Sequence, residues 1–382
     1  MYGCVNMDHK SIYQRSVQHF LAPIQGLLQD NGVTEVLING PDEVFFEQGG
    51  KLRKSNCRFA SDSALMAALR NIAEYAGRRL DETTHSMEAR LPTGERVHAV
   101  VPPASRSGIC VTIRKFSRSL HDLQALVKLG SLSPMAAEFV DLCVLLHRNI
   151  VVAGGTGTGK TSLLNALSRS LPRDERIIVI EDSSELRLEQ PHTLYLEAQG
   201  GDAEGRGKVT IRDLFVDSLR MRPDRIIVGE VRRGEALDLV QSMISGHSGS
   251  LTTVHADTPR SAAIRLETLC LLSDADMPQA VARLQVASAI QLVVQLARFA
   301  DGSRRITDIS EPLELDDRNN YRWRRLFEFR AEGVDDEGRI RGELAWTGEQ
   351  PTFAGEVTRM GYANRVHLCR SLFGLSDAER DS

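Results

Sequence analysis

The residues from Gly154 to Thr161 read Gly-Gly-Thr-Gly-Thr-Gly-Lys-Thr, and no other stretch of the chain spells out a chemistry so directly. The spacing fits G-x-x-x-x-G-K-[ST], the loop that wraps a polyphosphate. Such a ligand needs many hydrogen-bond donors at close range, and side chains at Gly154, Gly155, Gly157 and Gly159 would obstruct them. The helix expected to start here adds the partial positive charge of its N-terminus. Lys160 can reach the β- and γ-phosphates, and the Thr161 hydroxyl can ligate Mg²⁺. Thr156, Thr158 and Ser162 complete the loop, so residues 154–162 form the expected site for ATP with Mg²⁺. The bland alternative is an ordinary Gly/Thr turn. Against it stand the apolar, largely β-branched run Ile150 to Ala153 before the loop and Leu163, Leu164 and Leu167 at helical spacing after it.

A site that splits a phosphoanhydride also needs acids and bases. Arg225 to Glu230 reads as a buried strand that ends in a carboxylate, which suits Glu230 to activating water. Glu181 comes after another apolar run, Ile177 to Ile180, and a carboxylate at a strand's C-terminal end faces the ligand crevice of an open α/β sheet. Asp182 and Glu185, just beyond it, fit either a metal role or helix capping. His247 and His255 flank a further strand, where they can sense the γ-phosphate or serve as ordinary hydrogen-bonding groups. Arg90, Arg96 and Arg114 lie on strands of a different region, and Arg220 and Arg222 precede Pro223. Each fits either a clamp on a transferring phosphoryl group or a solvated surface cation.

Positioning these groups requires at least two folded regions, and 382 residues are enough to bury two or three cores. Residues 1–32 read as a helical extension, with a helix around Ser11 to Asp30. Residues 33–116 read as a smaller α+β domain: strands at Thr34 to Asn39, Glu43 to Glu47, Met87 to Leu91, Arg96 to Val101 and Cys110 to Lys115, and a helix from Ala64 to Ala76. Residues 117–133 read as a linker with a short helix, able to hinge one domain over the nucleotide. From Pro134 to the end, strands alternate with helices, which implies a largely parallel, doubly wound α/β sheet. The pattern weakens beyond Asp308, where a C-terminal appendage is expected. With 42% hydrophobic and 26% charged residues the composition is that of an ordinary globular protein, and the net charge of −4 argues against stable nucleic-acid binding. Six cysteines without a C-x-x-C pair fit a reducing cytoplasm better than a zinc site or a disulfide framework. No apolar run approaches the length of a membrane span, so any membrane work is expected at the surface, through a partner.

Several stretches together resemble the secretion and pilus traffic ATPases of type II and type IV systems, and among them most closely the CpaF/TadA ATPases that assemble Flp (Tad) pili. They are Thr34 to Pro41, Gly77 to Glu82, Ala89 to Val97, Thr112 to Phe116, the phosphate loop, Ile180-Glu181-Asp182, Leu219 to Arg232, and Gly246 to Ala256. The resemblance implies a hexameric ring with a RecA-like P-loop domain, preceded by a smaller PAS-like α+β domain, peripheral to the inner membrane and working against a platform protein there. It further implies an acid at Glu181, a catalytic glutamate at Glu230, a histidine box with His247 and His255, and arginines at Arg114, Arg90 and Arg96 brought to the phosphates. Ser248 and Arg233 depart from the family pattern at positions where aspartate and glycine are common. A conjugation-type secretion ATPase of the same chemistry is one rival reading, and a nucleotide-gated scaffold with little turnover is another.

Overall fold

The computed structural model describes residues 15–81, 83–115, 122–200 and 206–375. They fall into two compact units, one ending at residue 115 and one beginning at residue 122. Residues 11–14, 116–121 and 376 onward, which include parts of the expected first helix, hinge and polar tail, lie outside the described residues.

The first unit is an antiparallel sheet with one face covered. Strands β1 (Val33–Asn39), β2 (Val44–Gln48), β3 (Lys51–Lys54), β4 (Ser86–Arg90), β5 (Arg96–Val100) and β6 (Cys110–Arg114) stand in the order β3-β2-β1-β6-β5-β4. Alternate residues turn inward, so that Val36, Ile38, Val97, Ala99, Val111 and Ile113 are buried. Helix α2 (Asp62–Tyr75) supplies Leu65, Leu69 and Ile72 to the same core, and the Ser61 side chain caps it by accepting from the Ala64 N–H. Ahead of β1, a 3₁₀ turn at Ala22–Ile24 runs into the short helix α1 (Gln25–Gln29). Val17, Leu21 and Ile24 are buried in this core, so residues 15–32 belong to the unit and do not stand apart as an extension.

The second unit is built on nine strands. Six of them are parallel: β7 (Ile150–Gly154), β8 (Ile177–Glu181), β9 (Thr193–Glu197), β12 (Arg225–Val228), β13 (Leu251–Val254) and β14 (Leu292–Arg298), with a separate two-residue pair, β10 (Gln199–Gly200) and β11 (Lys208–Val209). Their order, β14-β7-β13-β12-β8-β9, places the phosphate-loop strand inside the sheet. Both faces of the inner strands β7, β13, β12 and β8 are covered, which is why these four are buried throughout and read largely as continuous apolar runs. Ile150, Val152, Ile177 and Val179 enter a core shared with α4 (Pro134–Leu145) and α5 (Lys160–Ser168). Val151, Ala153, Ile178 and Ile180 enter the opposite core with α6 (Ile211–Ser218), α7 (Glu235–Ile244), α8 (Pro259–Leu271) and α9 (Gln279–Ala289).

Two further expectations change. Helix α3 (Leu123–Lys128) lies in the stretch read as a linker, yet Leu123, Leu126 and Leu132 are buried in the core of the second unit. The stretch after Asp308 is no appendage. Antiparallel strands β15 (Arg304–Leu313), β16 (Arg322–Val334) and β17 (Ile340–Trp346) extend the sheet beyond β14. Phe327, Phe353 and Phe373 all pack on Phe139 of α4. The alternation was weak because charged side chains interrupt it: Arg324 and Arg325 of β16 pair with Glu311 and Asp308 of β15. The sheet is therefore mixed, with a parallel half that holds the loop and an antiparallel half beside it.

Candidate functional site

Every parallel strand of the second unit ends on the same edge, and the phosphate loop is the turn that leaves β7 there. Gly157 and Gly159 have φ of 70° and 97°, a region costly for residues with a Cβ, and Gly159 opens α5 without a side-chain cap. The first-turn N–H groups of that helix therefore point into the loop with no side chain of the cap position on them, as an anion site requires. Lys160 is buried, and its Nζ donates to the carbonyls of Gly154 (3.0 Å) and Gly155 (2.8 Å). Thr158 Oγ1 donates to the Gly155 carbonyl and steadies the loop, while Thr161 Oγ1 donates to Glu185 Oε2 at 3.2 Å. Thr156 is exposed and Ser162 half-buried beside it. This donor set fits a nucleotide polyphosphate, and the oxygen of Thr161 fits Mg²⁺, which prefers oxygen ligands and keeps several waters.

The strand next to β7 is β13, and the one beyond it is β12, so the residues just past the C-terminal end of each strand lie beside the loop. His255, the first residue after β13, stands between two charges: its Nδ1 is 3.4 Å from Lys160 Nζ and its Nε2 is 3.0 Å from Glu230 Oε1. An ammonium can only donate, so the arrangement assigns the imidazole proton to Nε2, which then donates to Glu230. Burial, reinforced by the Lys160 charge, holds the His255 pKa below its usual value and keeps the ring neutral. The other oxygen of Glu230 accepts from Arg232 Nη2 at 2.8 Å, and Arg232 Nη1 lies 3.4 Å from Asp182 Oδ2. A continuous polar chain thus runs from Lys160 through His255, Glu230 and Arg232 to Asp182, across the ends of four neighbouring strands.

Glu181 sits behind this chain. It is buried, and its Oε1 accepts the N–H groups of Glu185 (2.8 Å) and Leu186 (3.0 Å). Burial pushes its pKa up to about 7, against the lowering effect of those two N–H groups. Gly229 is required for its position, because a Cβ there would come within 2.9 Å of Glu181 Cγ. Glu181 is thereby packed against the strand end that presents Glu230.

His247 and Arg220, both expected at the nucleotide, are placed elsewhere in their own chain. His247 precedes β13, and Ser250 Oγ donates to its carbonyl, so it lies at the N-terminal end of the strand whose C-terminal end carries His255. Four strand residues at about 3.3 Å each separate the two ends. Arg220, exposed, precedes β12 in the same way. In the first unit, Arg90, Arg96 and Arg114 stand directly opposite one another in register across β4, β5 and β6, with Glu35 of β1 next in the row. Cross-strand partners share a face, and this one is opposite the buried core. Arg96 also pairs with Glu88. Arg232 was missed as an individual site residue. Its signals are its place at the end of the family-like stretch Leu219 to Arg232 and its position two residues after Glu230.

The solved structure of the ATPase DotB from Yersinia pseudotuberculosis is similar to this chain with a TM-score of 0.54 at 18% identity, over 79% of each chain, and shows the fold as that of a RecA-like P-loop protein. A Mycobacterium tuberculosis protein provisionally named a conjugal transfer protein is 40% identical over 294 residues, 75% of this chain and 83% of that one. The type IV secretion system protein VirB11 of Bartonella henselae is 32% identical over 325 residues, covering 76% of this chain and 91% of its own length. Residues 18–339 match the family model described as Type II/IV secretion system protein. The chain belongs to that family.

Proposed function

We propose that the chain hydrolyses ATP with Mg²⁺ and uses the cycle to drive a secretion machine of the bacterial envelope. The observation that carries this reading is the polar chain that links Lys160 to Glu230 through His255 beside an uncapped phosphate loop. In this reading the loop from Gly154 to Ser162 holds the phosphates, and Thr161, with Glu181 behind it, holds Mg²⁺. The metal, when bound, offsets the charge of the phosphate oxygens. Glu230 accepts the proton of the attacking water at one of its two carboxylate oxygens. Each of those oxygens already accepts one bond, from His255 or from Arg232, and has a lone pair left for the water, so those contacts set how readily the base engages. Arg114, with Arg90 and Arg96, neutralises developing charge from the first unit, as the resemblance implies. A homohexameric ring acting on an inner-membrane platform protein, with nucleotide as its switch, completes the proposal. Among the described residues no helix is long and apolar enough to cross a membrane, which suits attachment through such a partner.

The names of the relatives, conjugal transfer and type IV secretion, favour a conjugation-type machine as the destination. Assembly of a Flp/Tad-type pilus is the second reading, supported by the CpaF/TadA-like stretches from Thr34 to Ala256. Adjacent genes separate the two: conjugation-channel genes for the first, prepilin and platform genes for the second. Phosphate release by the purified protein with Mg·ATP tests the enzyme itself. Steady release that ends on substituting Lys160 is expected, whereas tight ATP binding without release would leave a nucleotide-gated scaffold.

A further inference from the structure

The hairpin between β14 and β15 carries three arginines. Arg305 is a packing residue: its guanidinium lies 5.2 Å from the Phe329 ring centroid and 5.9 Å from that of Phe299, and it donates to the carbonyls of Gly342 and Ile340. Arg298 and Arg304 differ from it. They are directly opposite each other in the antiparallel register, so both side chains leave the same face of the hairpin. That face lies against the phosphate loop. A Cβ built on Gly157 would be 3.6 Å from Arg298 Nη1, and one built on Gly159 would be 3.8 Å from Arg304 Cδ. The register explains why: β14 pairs with β7 in parallel, Leu296 beside Gly154, so the next turn of β14 arrives where the loop leaves β7. A pair of guanidinium groups set against a loop built for phosphate is placed to meet an anion there, because guanidinium forks bind phosphate oxygens two at a time.

We propose that Arg298 and Arg304 form a second cationic wall of the nucleotide site, contacting the phosphate chain from the β14–β15 hairpin of the same chain. This rests on the reading of residues 154–162 as the nucleotide site and adds a wall that the loop motif does not contain. It also assigns a task to the antiparallel half of the sheet: β16 and β17 brace the hairpin that carries the wall. The wall is cationic and makes no demand on the base, so it strengthens binding of any polyphosphate.

The test is a titration of the full chain with Mg·ATP, with tripolyphosphate and with adenosine, using wild type, Arg298→Ala, Arg304→Ala, the double substitution, Arg298→Lys and Lys160→Ala. Each arginine-to-alanine variant is expected to weaken both ATP and tripolyphosphate about tenfold, the loss of a hydrogen-bonded charge contact, with lysine restoring part of it. Adenosine affinity is expected to stay within about twofold. Circular dichroism and melting temperature check that the variants are folded, and the exposed position of Arg298 favours that. The proposal is overturned if the double variant binds tripolyphosphate like wild type while Lys160→Ala does not, or if the loss falls on adenosine alone. Unchanged tripolyphosphate binding in Lys160→Ala as well would remove the phosphate-loop reading and this wall with it.

Discussion

At the N-terminal ends of the parallel strands, Arg225 is fully buried, with Nε 2.7 Å from Glu175 Oε2 and the rest of its fork on the carbonyls of Val144 and Gly249. Asn149 beside it donates to the Ala289 and Met243 carbonyls and accepts the N–H groups of Gly249 and Ser250. At the C-terminal ends, Glu230 is partly open to solvent and divides its two oxygens between His255 and Arg232, which are more exposed still. The residue types are alike and their situations are opposite. A buried ion whose partners are carbonyls and a matched carboxylate has one arrangement, and it fixes where strands begin. A half-exposed carboxylate with two exchangeable partners has several arrangements close in energy, and that is where a reaction can take hold. The end of the sheet, more than the residue type, separates chemistry from architecture here: His255 and His247 flank one strand and fall on different sides of that line.

The sharpest way to break this contrast is at its buried end. Arg225→Ala removes a fully buried ion with its carbonyl contacts and leaves the half-buried Glu175 with His147 alone, and a loss of about 3–5 kcal/mol is expected in denaturant unfolding, with nucleotide affinity of the folded fraction unchanged. An unaltered midpoint would show that the N-terminal edge does not hold the fold. The next effect concerns Glu181. Its folded pKa of about 7 lies above the ordinary carboxylate value of 4.5, so the folded state holds the extra proton over that interval. Its contribution is complete below about pH 4.5 and is lost as the pH rises through 7. In the nucleotide-free protein, Glu181→Gln should therefore gain stability relative to wild type across that interval, on the order of 3 kcal/mol. A stability difference independent of pH would contradict the buried, neutral carboxyl.

Arg232→Ala removes one of the two partners of Glu230 and is expected to change turnover about tenfold, roughly 1.4 kcal/mol, with Arg232→Lys intermediate and Mg·ATP affinity little altered. An effect on affinity alone would mean that Arg232 acts on the phosphates and not on Glu230. The smallest effect is expected for His247→Ala, whose Mg·ATP affinity in the isolated chain should lie within about twofold of wild type, while His255→Ala should disturb hydrolysis several-fold. Equal losses from the two histidines would place them in one site and dissolve the distinction between the sheet ends.

Much of this was legible in the residues themselves. The loop, Glu230 and Glu181 could be read because a parallel strand buried on both faces gives an unbroken apolar run, and the polar residue after it must lie at the edge where ligands bind. The direction of each strand also implied where His247 and Arg220 fall, before β13 and β12, at the sheet edge away from the loop of their own chain. The antiparallel strands after Asp308 were hidden by charged pairs such as Arg325 with Asp308, whose partners are distant in sequence. Arg298 and Arg304 were hidden for a related reason: each is unremarkable alone, and only the hairpin register sets them opposite each other on the loop.

The central claim is that Glu230 is the base that acts on a nucleotide held by the phosphate loop, and a single-turnover experiment with Glu230→Gln tests it most directly. Prebound Mg·ATP is expected to be cleaved about 10²–10⁴ times more slowly than in wild type, while its affinity stays within about threefold. Cleavage at the wild-type rate in that variant would contradict the account.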